Sequence, residues 1–168
     1  LLLLHVNDEF SFDRFHAKKD RIFRVFRHIQ PMNGEPARSD VYLPMPLGPA
    51  MKADLPEVLD YVRFCEWGEQ FVRAPRQLSK MSVVYADPQI FDMFSFPLLY
   101  GDARTALQET NSVVLTEETA LQLFGEENPT GKTLDFKGAN GFESYIVTGV
   151  AKNLPPNSSI RFGILCNY

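Results

Sequence analysis

The chain has 168 residues, 45% hydrophobic and 23% charged, enough for one sizeable core or two small lobes and unlike a disordered tail. A formal net charge of -4 without long runs of one sign leaves no electrostatic footprint for nucleic acid. The two cysteines, Cys65 and Cys166, and the three histidines, His5, His16 and His28, show no metal-ligand spacing, so neither a metal nor a cofactor is expected.

Leu1 to Leu4 open the chain with no basic region before them and no small-residue cleavage site after them. Four leucines cannot cross a bilayer, which takes roughly twenty apolar residues. They are either the last turn of a transmembrane helix or a hydrophobic start. From Ser11 to Phe23 the spacing of Phe12, Phe15, Ile22 and Phe23 predicts an amphipathic helix, with Lys18, Lys19 and Asp20 on another face and Ser11 or Asp13 as N-cap. Arg14, Lys18, Lys19, Arg21, Arg24 and Arg27 form the one basic cluster, suited to lipid headgroups or a partner and equally to a solvated helix face. Residues 22–29, aromatic and β-branched, read as a strand, and the Pro- and Gly-rich residues 31–49 as a loop. Leu47, Ala50, Met51 and Leu55 give a short helical face stopped at Pro56. Leu59 to Phe64 alternates like a strand, so residues 22–64 are expected to form β-α-β.

Gln70 to Tyr85 predicts two further strands, and the turn at Asp87-Pro88 leads into a short helix carrying Ile90, Phe91, Met93 and Phe94. Large apolar side chains in such a cluster more often build a core than a ligand pocket. After a loop over 96–109, Val113 to Leu115 is a strand. Thr116 then caps a helix whose Glu117 and Glu118 suit its positive end and whose Ala120, Leu123 and Phe124 share a face. The stretch FGEENPTGKT, residues 124–133, looks at first like a phosphate loop. Gly125 and Gly131 are one residue too far apart, Glu126 and Glu127 would oppose a polyphosphate, and Pro129 lacks an N–H. The order is also reversed: a phosphate loop follows a strand and opens a helix, whereas this one follows a helix. Gly125 reads as a helix stop. Strands at 133–136 and 143–151, a turn at 154–158 and a last strand at 160–166 complete the chain. Asn157-Ser158-Ser159 matches an N-glycosylation pattern and is read as a turn.

No G-x-S-x-G turn or H-E-x-x-H helix is present. The adjacent Glu117 and Glu118 point away from each other, unlike carboxylates converging on one bond, so no catalytic residues and no enzyme are expected. Cys65 and Cys166 could pair in an oxidising compartment, but two unpaired, partly buried thiols are the default.

Five segments carry a resemblance across nearly the whole chain: DEFSFDRFHAKKDRIFRV (8–25), PLGPAMKADLPEV (46–58), VVYADPQIFDMFSFPLLYGD (83–102), NSVVLTEETALQLFGEENPTGKTL (111–134) and YIVTGVAKNLPPNSSIRF (145–162). In this order they resemble the periplasmic core domain of MacB/FtsX-type ABC transporter permeases. The resemblance implies an α+β fold of two lobes, a β-α-β porter-like lobe with an inserted mixed β/α lobe. Residues 1–5 would end the first transmembrane helix. Residues 6–66 would hold a membrane-proximal helix and the first part of the porter-like lobe, 67–158 the inserted lobe, and 159–168 the start of the return, with the second half of the first lobe missing.

The function implied is that of a non-catalytic domain on the periplasmic side of the bacterial inner membrane, relaying ATP-driven motion to a periplasmic substrate or partner. The implied partners are a cytoplasmic ABC ATPase subunit or domain, a second permease subunit, the membrane and a periplasmic protein. Phe12, Asp13, Phe15, His16, Arg21 and Arg24, which join the membrane helix to the first strand, are the coupling candidates. The alternative role for them is plain: Phe12 and Phe15 pack in the core while Asp13 and Arg21 cap or solvate the helix. A different class, an extracytoplasmic ligand-binding sensor or adhesion module, would lead into a signalling domain instead of further apolar spans.

Overall fold

The computed structural model describes residues 11–31, 35–75 and 77–168. By their contacts the residues fall into two units, Leu1–Lys19 with Val62–Tyr168, and Asp20–Tyr61. Leu1 to Leu4, read as a helix end or a hydrophobic start, lie outside the described residues.

In the smaller unit, β1 (Arg27–Ile29) pairs antiparallel with β2 (Arg38–Asp40), placing Arg27 opposite Asp40 and His28 opposite Ser39. The Arg27 guanidinium bonds the Asp40 carboxylate at 2.8 Å. Helix α1 (Leu47–Asp54) follows Pro46 and ends before Pro56, as its apolar spacing predicts. The expected β-α-β does not form over residues 22–64. Only 27–29 of the first run is strand, its partner lies in the stretch read as loop, and of Leu59 to Phe64 only Phe64 belongs to a strand. Alternation becomes a strand only beside a neighbour that completes the ladder. None of the described residues from 20 to 61 is buried, and Phe23 and Tyr42 are 82% and 84% exposed.

The larger unit is built on β3 (Phe64–Ala74), β4 (Gln77–Ala86), β5 (Leu98–Tyr100), β6 (Ser112–Thr116), β7 (Thr133–Gly138), β8 (Gly141–Ala151) and β9 (Ile164–Asn167). The short helix α2 (Ile90–Met93) and helix α3 (Glu117–Phe124) complete it. Strand order is β5-β8-β6-β9-β4-β3-β7, and β7 pairs again with β8, so every strand but β5 belongs to a closed ring. Closure leaves those strands with few open edges.

Side-chain alternation divides two cores between the faces of this ring. Val72, Val83, Val113, Leu115, Leu134, Val147 and Ile164 point inward and are completely buried, with Leu123 and Phe124 of α3 packed on them. Their neighbours Val84, Val114 and Leu165 point outward against Ile90, Phe96, Leu107 and Phe162. The five residues of β6 are therefore all buried, which is why its sequence, SVVLT, does not alternate in polarity. Residues 159–168 supply β9, which runs between β6 and β4.

Helix α3 is capped as its sequence predicts: the Thr116 hydroxyl accepts the Thr119 amide, and Gly125, at φ 73°, ends the helix. The chain then runs helix, loop, strand. Lys132 pairs with Glu127 and lies 5.7 Å from the Phe124 ring, and the Gly131 amide donates to the Val147 carbonyl at 2.7 Å. The lysine and amide that a phosphate would require are thus taken up by the protein.

The cysteines are both free. Cys65 lies opposite Tyr85, and Tyr85 opposite Cys166, on three adjacent strands. Two strand spacings, about 9–10 Å, exceed what a disulfide spans.

Candidate functional site

Residues 11–23 are expected to form a helix; instead 11–18 form turns, followed by one turn of 3-10 helix at Lys19–Arg21. The cause is Asp13, which adopts φ 57°, a left-handed conformation incompatible with a continuing helix but tolerated by aspartate. The residue is held there from a distant segment. Its N–H donates to the Asn157 carbonyl at 2.9 Å, and its carboxylate accepts the Ser159 N–H at 2.9 Å and the Ser159 hydroxyl. Asn157 in turn donates its side-chain amide to the Ser11 carbonyl at 2.9 Å.

One turn further on, His16 is 3% exposed. Its Nδ1 accepts the Ser95 N–H at 3.0 Å, while the Ala17 N–H donates to the Ser95 hydroxyl at 2.9 Å. The imidazole sits against Phe15, Phe94 and Phe96, with ring centroids 4.0, 5.1 and 5.1 Å away. Among the described residues its Nε2 has no hydrogen-bond partner, and Asp13 Oδ1 lies 3.9 Å from it. Burial holds the imidazole below the usual histidine range, against the opposing pull of the Asp13 charge. Lys18 adds a bond from Nζ to the Asp92 carbonyl at 2.5 Å.

Of the six coupling candidates, the structure brings together Asp13, Phe15 and His16. Phe12 is 42% exposed. Arg21 and Arg24 are exposed and belong to the smaller unit. Sequence reasoning passed over Ser95, Asn157 and Ser159, the residues that receive the segment. A faint signal existed: Ser95 sits between Phe94 and Phe96 in a run otherwise of core type, and Asn157 and Ser159 belong to a triplet read only as a turn.

Asp13, His16 and Ser159 are the residue types of a hydrolytic triad, but the carboxylate stands between the other two. The Ser159 hydroxyl donates to Asp13, so the imidazole is not placed to take its proton. The arrangement acts as a clasp. Among the described residues no three of His, Cys, Asp and Glu converge as metal ligands.

A second clasp stands where the chain enters β3. Asp87, 4% exposed, accepts the Arg63 backbone N–H and Nη2 at 2.6 Å each and Nε at 3.0 Å. The guanidinium also lies 4.5 Å from the centroid of the Tyr168 ring, and the Tyr168 N–H donates to the Ala86 carbonyl at 3.1 Å. Among the described residues no helix is long and apolar enough to cross a membrane.

The chain matches the family described as MacB-like periplasmic core domain over residues 1–167. Comparison with curated protein sequences returns no match. Among solved structures, a domain assigned to a permease protein of Porphyromonas gingivalis aligns with a TM-score of 0.76 at 24% identity, covering 92% of this chain and 65% of that one. The periplasmic region of MacB from Actinobacillus actinomycetemcomitans aligns with a TM-score of 0.51 at 18% identity, covering 72% of this chain and 53% of that one. The chain thus spans about two thirds and about half of these two structures, which share its α+β fold. With the match running over residues 1–167, the chain belongs to the MacB-like periplasmic core domain family.

Proposed function

We propose that this chain is the periplasmic part of an ABC transporter permease and relays ATP-driven motion to a periplasmic substrate or partner without catalysing a reaction. The observation that carries this reading is the docking of residues 11–19 on the rest of the larger unit. Asp13 and His16 tie the segment to residues 92–96 and 157–159, so displacement of the segment would be passed directly to the closed ring. In this reading a cytoplasmic ABC ATPase drives the segment, and a second permease subunit stands beside it. Arg14 lies at the headgroups, contributing on the order of 1 kcal/mol near an anionic surface, while the Lys18 ammonium is engaged by the Asp92 carbonyl. The unit Asp20–Tyr61 belongs to a porter-like lobe and carries the exposed Phe23, Phe26, Tyr42 and Leu59.

The test uses the tagged full-length permease purified from its native membrane. An ABC ATPase identified in the complex by mass spectrometry, with ATP hydrolysis retained and transport lost in Asp13→Ala and His16→Ala, is the expected outcome. Full transport in both variants would remove the segment from the route, and recovery of a signalling kinase in place of the ATPase would favour a sensor.

A further inference from the structure

An imidazole can hold the docked segment only while its Nδ1 keeps a lone pair. Because that atom of His16 accepts the Ser95 N–H, the hydrogen of the neutral ring sits on Nε2. A second proton would go to Nδ1, where it would face the Ser95 N–H directly. The acceptor would disappear, and a positive charge would be left among Phe15, Phe94 and Phe96.

The charged groups on the surrounding elements do not prevent this. Lys18 on the same segment and Arg161 beyond the 154–158 turn are cations, bonded to the carbonyls of Asp92 and Pro156. Asp92 at the end of α2 is exposed. Among the described residues Asp13 pulls toward protonation, and both of its oxygens already accept from Ser159.

We propose that His16 is a proton-sensitive latch: on protonation it releases the Ser95 amide, and residues 11–19 leave the surface formed by residues 92–96 and 157–162 while the closed ring stays folded. The bonds from the Ala17 N–H to Ser95 and from Lys18 to Asp92 lie on the same strip and are released with it. The sign follows from burial. A folded-state pKa lowered from 6.5 means that the histidine's contribution to docking is complete above about 6.5 and is lost as pH falls through the folded value.

Amide hydrogen exchange on the chain, corrected for the intrinsic effect of pH, tests this between about pH 7.5 and about pH 5. Protection at the Asp13 and Ala17 amides is expected to fall, by up to about thirtyfold, the limit that a reference value of 6.5 sets at about pH 5, with that of Val113 to Leu115 unchanged. In His16→Asn the side-chain oxygen takes the place of Nδ1 and does not titrate, so protection should be equal at both pH values. The latch is overturned by constant protection in the wild type, by an equal fall in His16→Asn, or by parallel loss from the ring. Should His16→Asn fail to dock at either pH, the wild type decides. The His16 titration followed by NMR must share its midpoint with the loss of Ala17 protection, and midpoints more than about one pH unit apart overturn the proposal.

Discussion

Ser159 donates its backbone N–H and its hydroxyl to the carboxylate of Asp13 across 146 positions of sequence. The left-handed backbone at Asp13 costs roughly 1–2 kcal/mol for a residue with a Cβ, and these bonds offset it. Asp13→Ala removes both acceptors and keeps the unfavourable backbone. Asp13→Asn retains an acceptor and a side chain suited to that conformation. In urea unfolding Asp13→Ala should lose about 1–2 kcal/mol and Asp13→Asn about half as much, because the Asp13 side chain is 37% exposed and its charge is screened. The loss has a ceiling, since residues 11–19 can leave before the ring unfolds. Equal losses in the two variants would show that the carboxylate does not hold the turn.

Arg63 and Asp87 form a more deeply set pair, and the two partners should not be equivalent. Without Asp87, the guanidinium, with its side chain 30% exposed, can recover water. Without the guanidinium, the 6% exposed carboxylate keeps only the Arg63 backbone N–H. Arg63→Ala is therefore expected to cost about 2–4 kcal/mol and Asp87→Ala less. Arg63→Lys should fall between wild type and Arg63→Ala, because an ammonium keeps the charge and loses the two-pronged contact. Chemical denaturation of the three variants gives the order. Arg63→Ala at wild-type stability would mean that the carboxylate finds another partner.

Regular elements with a strong local signal were legible. Thr116, Leu123 and Gly125 mark the start, face and end of α3, and the apolar run of β6 marks a strand buried on both sides. The turns of residues 11–19 were not, because Phe12 and Phe15 have helical spacing and the reason for breaking the helix lies at Asn157 and Ser159. Closure of the ring was equally hidden. It depends on Val72 meeting Phe136 and Arg73 meeting Asp135, a pairing between β3 and β7 that neither strand announces. Asp13 and His16 were singled out for their place in the chain, next to the expected membrane helix, and their partners came only with the fold.

The thiols should behave as two separate groups. Cys166 is completely buried, and burial pushes its pKa up, so the reactive thiolate is suppressed. Cys65 is partly exposed. A thiol-specific reagent should label Cys65 in the native protein and Cys166 only after denaturation, and reductant should not change electrophoretic mobility. Rapid native labelling of both, or a mobility change on reduction, would contradict the separation of these residues across β3, β4 and β9.

Tyr85 and Tyr145 place two phenols on the inner core of the ring. Tyr145 packs edge-on against Phe136, with centroids 4.7 Å apart, and Gln70 Nε2 donates to the Tyr85 hydroxyl at 3.4 Å. Burial pushes both phenols up, Tyr145 to about 12, with Tyr85 and Cys166 beside it adding to the effect. Since the folded value lies above the unfolded one of about 10, the neutral phenol contributes stability that is complete below about pH 10 and is lost as pH rises through about 12. An absorbance titration at the phenolate band should show a delayed ionisation near pH 12. Tyr145→Phe should shorten that late step and flatten the alkaline fall in stability. Circular dichroism recorded alongside separates the alternatives: a protein still folded in which every tyrosine ionises together near pH 10 would mean that Tyr145 faces water, and the inner core would have to be open at that point.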